Sequence, residues 1–153
     1  MFDVVLVAPE IAPNTGNVAR TCAVTGARLH LVRPLGFRLS DRMLKRAGMD
    51  YWNHVEWQVH DTWDDLLAAL PAGRFCYLDP GGDLWYSQLR FAPGDVLVFG
   101  SESRGLPPGL SARRPGPILR VPMRPGLRSL NLASTVALVL YEAYRQQGFP
   151  GMT

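Results

Sequence analysis

Lysine is almost absent from this chain: of 16 basic residues, 15 are arginine and Lys45 is the exception. Such a bias has two readings. One is a coding preference for arginine on ordinary surfaces, and the other is a need for the planar guanidinium fork that grips phosphate or carboxylate at two points. Cysteine is scarce too. Cys22 and Cys76 stand far apart in no metal-ligand spacing, which excludes a disulfide framework and reads as buried thiols in a reducing cytoplasm. No apolar run approaches the ~18 residues of a membrane span, the longest lying near Val136 to Leu140. The opening Met1-Phe2-Asp3 has no basic segment of the kind that begins a secretory leader. The three histidines, His30, His54 and His60, fall in no metal-ligand spacing and no H-E-x-x-H, so no metal is expected. His30 sits in an alternating segment and reads as a packed or surface residue. The familiar nucleotide fingerprints are missing as well. There is no G-x-G-x-x-G, and Gly100 to Leu106 lacks the Lys-Ser/Thr of a phosphate loop.

What remains is the balance of a compact protein without membrane segments. Its 153 residues are 47% hydrophobic and 19% charged, with a mean hydropathy of -0.01 and a formal charge of +3. A chain of this length buries roughly 68–70% of its unfolded surface and needs no covalent staple. With no repeat, low-complexity tract or linker, residues 1–153 read as one domain. The charge is unevenly spread. Residues 1–103 carry 9 basic and 12 acidic side chains, net -3, whereas residues 104–153 carry 7 arginines and the single acid Glu142, net +6. An anionic partner for the C-terminal third follows if the arginines are there to bind.

Apolar and polar residues alternate in blocks. Asp3 to Ala8 is nearly all apolar, as a strand covered on both faces requires. Asn14 is a candidate cap for a helix to about Thr25, ended by Gly26. Arg28 to Arg33 is a second strand, and a short basic helix is expected over Asp41 to Ala47. Val55 to Val59 reads as a strand, and Thr62 as the cap of a helix, Trp63 to Leu70. Arg74 to Leu78, Val96 to Phe99 and Ile118 to Val121 are three more strands. A long helix from about Leu130 to Gln147 closes the pattern at Gly148 and Pro150. Strands alternating with helices predict an α/β fold around a mostly parallel sheet, with helices on both faces. On the last helix, Leu132, Val136, Leu140, Ala133, Ala137 and Tyr144 form a core or subunit-interface stripe.

The three later strands each end in a loop rich in Gly and Pro, at residues 79–82, 100–109 and 122–128. Ligands in open α/β sheets bind beyond the carboxyl ends of the strands, where glycines let backbone amides approach them. Two further clusters open helices: Pro13-Asn-Thr-Gly-Asn17, with Arg20 one turn beyond Asn17, and Arg128-Ser-Leu-Asn131. Together they suit a phosphodiester and its ribose, and as plain capping residues they need no ligand at all. The mixture Arg33, Arg38, Arg42, Lys45, Arg46, Tyr51 and Trp52 suits phosphate contacts with base stacking, or equally a solvated helix face.

Three segments in register give a resemblance. Pro13-Asn-Thr-Gly-Asn-Val-Ala-Arg20, Phe99-Gly-Ser-Glu-Ser-Arg-Gly-Leu106 and Val121-Pro-Met123 to Arg128-Ser-Leu-Asn131 resemble the signature motifs of SPOUT-class RNA 2′-O-methyltransferases. Arg46-Ala-Gly-Met-Asp-Tyr51 and Tyr141 to Pro150 are similar to the small branch that methylates the wobble cytidine or uridine of tRNA. The resemblance implies a Rossmann-like α/β fold whose C-terminal part is threaded as a trefoil knot, and a cytoplasmic homodimer whose sites are completed across the interface. It implies S-adenosylmethionine held around Leu78, by Gly100 and Gly105, and by Val121, Met123 and Ser129. For chemistry it implies Arg20 at the ribose hydroxyl. A guanidinium is a poor base at neutral pH, so phosphate binding and stabilisation of the developing alkoxide suit Arg20 better. Asn14 would position Arg20 or the ribose, Glu102 would orient Arg20 or a loop amide, Ser129 would bond the phosphate or Arg20, and Asn131 would line the transfer site. The partner would be the anticodon stem-loop of tRNA, with no membrane and no metal. A different tRNA or rRNA nucleotide, or a non-catalytic RNA-binding protein keeping the fold, are the alternatives. The chain departs from the family at Asp79-Pro-Gly-Gly82, where members commonly carry Thr or Ser and a Lys, and at Leu132-Ala-Ser-Thr135.

Overall fold

The computed structural model describes residues 1–40 and 50–153. Among these residues seven strands form one all-parallel sheet: β1 (Asp3–Val7), β2 (Arg28–Val32), β3 (Trp57–His60), β4 (Phe75–Leu78), β5 (Leu84–Trp85), β6 (Val96–Phe99) and β7 (Ile118–Arg120). Their order is β3-β2-β1-β6-β4-β7-β5. Among the described residues four α-helices accompany them, α1 (Ala12–Thr25), α2 (Trp63–Ala69), α3 (Leu110–Arg113) and α4 (Leu132–Gln146). Among the described residues, no helix is long and apolar enough to cross a membrane.

The near-continuous apolar strands are explained by two cores. Val4 and Leu6 of β1, Leu97 and Phe99 of β6 and Cys76 and Leu78 of β4 pack on one face, under α1 and α4. Val5, Val7, Val96, Val98, Phe75 and Tyr77 pack on the other, with Trp63 and Leu66 of α2. Alternate side chains thus feed opposite layers, and a central strand has no polar side to show. Val136, Leu140 and Tyr144 of the expected stripe are buried against the first face, together with Val139.

Several boundaries differ from the sequence expectation, each for a local reason. Helix α1 starts at Ala12, not at an Asn14 cap, because Pro13 already has the torsion of a first turn. Asn14 lies inside that turn and is buried. The last helix starts at Leu132 because the Asn131 side chain accepts from the Ser134 amide at 3.2 Å and so is its cap. β3 begins at Trp57: Asp50–His54 forms a 3-10 turn, and Val55 is buried without joining the ladder. The Thr62 cap holds as expected, with its hydroxyl accepting from Asp65 N and the Asp65 carboxylate accepting from Thr62 N. The basic helix expected over Asp41 to Ala47 lies outside the described residues.

The two-residue strand β5 was not visible in the sequence. It matters because β7 lies between β4 and β5, which only residues 79–83 connect. That connection must cross β7 to reach the edge of the sheet. Gly82 sits at the crossing, where a Cβ would come within 2.6 Å of the Leu119 carbonyl carbon.

Candidate active site

The carboxyl ends of β4, β6 and β7 open into one cavity of about 710 Å³, within the ordinary range for a cofactor or substrate site. Leu78, Gly100, Gly105, Val121, Met123 and Ser129 all line it, and so do Asn14, Glu102 and Asn131. Three loops that are far apart in sequence therefore share one wall system, as their placement after parallel strands led us to expect. Phe99, Leu119, Leu130 and Leu132 add apolar surface, while Asp79, Arg104, Arg128 and Thr135 add polar groups.

The loop after β6 is locked on itself. Ser101 N donates to Gly105 O at 3.1 Å, Gly105 N donates to Ser101 O at 3.0 Å, and Arg104 N donates to Ser101 Oγ at 3.2 Å. Gly100 is needed for this closure, since a Cβ there would lie 2.0 Å from the Gly105 carbonyl carbon. The loop after β4 is also self-contained: Asp79 Oδ1 accepts from Gly81 N at 2.7 Å, and Gly82 N donates to Asp79 O at 3.0 Å.

Glu102 holds the start of α1. Its carboxylate accepts from Glu10 N at 3.1 Å with both oxygens and from Ile11 N at 2.5 Å. Ile11 is the cap residue of α1, so Glu102 does from another loop what a capping-box glutamate does from within a helix. Of its two expected roles, the structure has the loop-amide contact. Asn14 and Asn131 meet across the cavity floor, where Asn131 Nδ2 donates to Asn14 Oδ1 at 2.9 Å. One asparagine thus caps α4 with its oxygen and ties α4 to α1 with its nitrogen. The clusters that open the two helices are a single structure.

Arg20 stands apart. It is exposed, does not line the cavity within one chain, and lies over the Tyr51 ring at 4.9 Å from its centroid. It shares the outward face of α1 with exposed Asn17, as their spacing predicts, while Asn14 turns inward. Ser129 is exposed on the cavity rim. Sequence reasoning missed Glu10, whose carboxylate accepts from Ser103 N at 3.2 Å and Ser103 Oγ at 2.6 Å. Both residues flank motif positions, but a contact across 93 residues leaves no spacing to read. Also missed was the role of His30, which is buried between Asp3 and His60. Among the described residues, no group of three or more His, Cys, Asp or Glu side chains is arranged to hold a metal.

A parallel sheet with a loop-built cavity at its carboxyl end, flanked by two asparagine-bearing helix starts, defines an α/β ligand-binding enzyme architecture. The family follows from comparison: the SpoU rRNA methylase family model matches residues 1–141, and the chain belongs to that family. It is 54% identical over 155 residues to a tRNA (cytidine(34)-2'-O)-methyltransferase of Burkholderia ambifaria, with 99% of each chain covered. A solved structure described as giving insight into 2-OH methylation of C/U34 on tRNA is 50% identical, covers 97% of both chains and superposes with a TM-score of 0.90. An AdoMet-bound rRNA methyltransferase from Sinorhizobium meliloti is 27% identical over 94% of this chain and 56% of its own, with a TM-score of 0.83.

Proposed function

We propose that this protein transfers a methyl group from S-adenosylmethionine to the ribose 2′-hydroxyl of the wobble pyrimidine, cytidine or uridine, in the tRNA anticodon loop. The observation that carries this reading is the joining of the three motif loops into one cavity of about 710 Å³, walled by the Asn14–Asn131 pair. The relatives of matching length, with names that specify that nucleotide, support it.

The cavity fits the cofactor. Backbone at Leu78, Gly100, Gly105, Val121 and Met123, with the Ser129 hydroxyl, would hold it among apolar walls. When bound, S-adenosylmethionine supplies an activated sulfonium methyl. The protein must then align the 2′-hydroxyl and stabilise the charge that develops on its oxygen as its proton passes to water and the new O–CH3 bond replaces the methyl–sulfur bond. Proximity and orientation are worth roughly 7–11 kcal/mol in favourable cases. The Arg20 guanidinium, a donor with no acceptor atom, acts by donating to the neighbouring phosphate and to the developing alkoxide. Asn14 and Asn131 present amide groups from a fixed hydrogen-bonded pair, and Ser129 presents a hydroxyl at the rim. Because Arg20 faces away from the cavity of its own chain, its work falls to the site of a second copy. A homodimer in the cytoplasm, one knotted domain per chain, completes the reading. Exposed Val24, Leu138, Tyr141 and Phe149 supply apolar surface for that contact.

The test uses purified protein, radiolabelled S-adenosylmethionine and total tRNA from a strain lacking the gene, followed by digestion and nucleoside identification. A 2′-O-methylated pyrimidine from the anticodon loop is the expected product. Cofactor binding without any transfer to tRNA would move the substrate to another RNA.

A further inference from the structure

Glu10 has no part in the chemistry above, yet it makes half of a reciprocal exchange. Glu102, in the loop after β6, accepts from the amides of residues 10 and 11, while Glu10, in the loop after β1, accepts from the amide and hydroxyl of Ser103. Each carboxylate reaches into the other's segment, and the two loops are clasped twice. Ser101, Glu102, Ser103, Arg104 and Gly105 all line the cavity, whereas Glu10 does not. On the other side of the clasp, Ile11 begins the helix that carries Asn14 and Arg20.

The Glu10 bonds are solvent-exposed, and exposed charge-assisted bonds add little to stability. What they supply is placement, since a functional wall must be held to about 0.5 Å by the groups behind it. The Ser103 hydroxyl and amide, aided by Ser101, hold the Glu10 carboxyl below the ordinary glutamate range, so it remains an ionised acceptor at neutral pH.

We propose that Glu10 is a positioning residue: through Ser103 it fixes the 101–105 loop as a wall of the cofactor cavity and joins that wall to the helix bearing Asn14 and Arg20. The inference rests on the reading of the cavity as an S-adenosylmethionine site.

Calorimetric titration of S-adenosylmethionine into the full-length protein tests it, using the wild type, Glu10→Ala, Glu10→Gln, Ser103→Ala and the Glu10→Ala/Ser103→Ala double variant. Glu10→Ala is expected to weaken binding about tenfold, with a melting temperature in the absence of cofactor close to wild type. Glu10→Gln keeps an acceptor oxygen and should recover most of the loss, which a merely structural role for the charge would not produce. The double variant should bind no more weakly than Glu10→Ala alone, because both changes break the same link. Wild-type affinity in Glu10→Ala, or losses that add in the double variant, would overturn the proposal. If Glu10→Ala does not fold, Ser103→Ala decides by itself: unchanged affinity in that exposed-loop variant overturns the proposal, and weakened affinity at an unchanged melting temperature supports it. Failure of the wild type to bind the cofactor would remove the reading of the site itself. Normal wild-type binding with indifferent variants removes only the role of Glu10.

Discussion

The two ends of the sheet use arginine in opposite ways. At the amino ends of the strands, Arg28 grips Asp3 through Nε and Nη2 at 2.7 and 2.8 Å, and Arg74 grips Asp95 in the same manner at 2.9 and 2.6 Å. Both aspartates are only 2% exposed. At the carboxyl ends, Arg124 and Arg128 form no ion pair or hydrogen bond with any described residue. A buried carboxylate needs a bidentate partner, whereas a surface that is to bind phosphate, as proposed for this rim, needs cations whose bonds are not already taken. Composition alone left the arginine excess with two readings. Position in the fold separates two groups: some arginines neutralise buried carboxylates at the base of the sheet, and Arg124 and Arg128 near its mouth have no such partner among the described residues.

That contrast can be broken in order of effect. Arg20→Ala should lower methyl transfer by roughly 10²–10³-fold with the melting temperature preserved, as loss of one donor to a developing oxyanion usually does. Initial rates beside a thermal melt check it, and full turnover in the variant would sink the role given to Arg20. Arg74→Met should cost about 2 kcal/mol in urea unfolding, less than a fully buried pair because its side chain is 44% exposed, with turnover per folded molecule unchanged. Arg128→Met should do the reverse. Stability should stay within about 0.5 kcal/mol of wild type, while the slope of log RNA affinity against log salt becomes shallower by about 1. A flat salt response in the wild type would remove the phosphate-reading role of the rim.

The smallest effect is in the base itself, where Asp3, His30 and His60 form a buried chain at 3.0 Å spacings. Burial, then the neighbouring His30, holds His60 below the ordinary histidine range, with Asp65 opposing. Its folded pKa is therefore the lower one. As pH falls through about 6.5, the unfolded chain takes up the proton first and stability declines. Burial raises the Asp3 carboxyl, but the His30 and Arg28 bonds outweigh it and hold it low. The stability Asp3 contributes is thus complete above its ordinary pKa near ~4 and lost only in more acidic solution. Unfolding midpoints between pH 5 and 7.5 should fall on acidification in the wild type and be flatter in His60→Gln.

Most strands and the main helices were legible in the sequence because their signals are local: Val4 to Val7 is apolar on both sides, and Thr62 precedes a helix with an aspartate three residues on. The loops were legible as a candidate site because ligands in open α/β sheets bind beyond the carboxyl ends of the strands, though two of their glycines, Gly82 and Gly100, are required by close backbone approach alone. What was not legible is what long-range packing decides. Asn131 reads equally as a cap and as a ligand group, and it proves to be a cap that also bonds Asn14. Glu10 precedes a recognisable motif but acts 93 residues away. Leu84 and Trp85 are too few to carry a periodicity, and only the presence of β7 makes them a strand.

The place of β7 also orders events at the ribosome. Strands β1, β2 and β3 are neighbours in sequence and can zip together as they emerge, and β6 joins β1 and β4 once residue 99 has been made. Among the described strands, β5 has no neighbour except β7, so Leu84 and Trp85 wait for residues 118–120 before they have anything to pair with. Leu119 and Val121 line the cavity, and so do Arg128 to Leu132. The same stretch of polypeptide that seals the sheet also furnishes a wall of the site, so a chain that has not yet reached residue 132 lacks that wall.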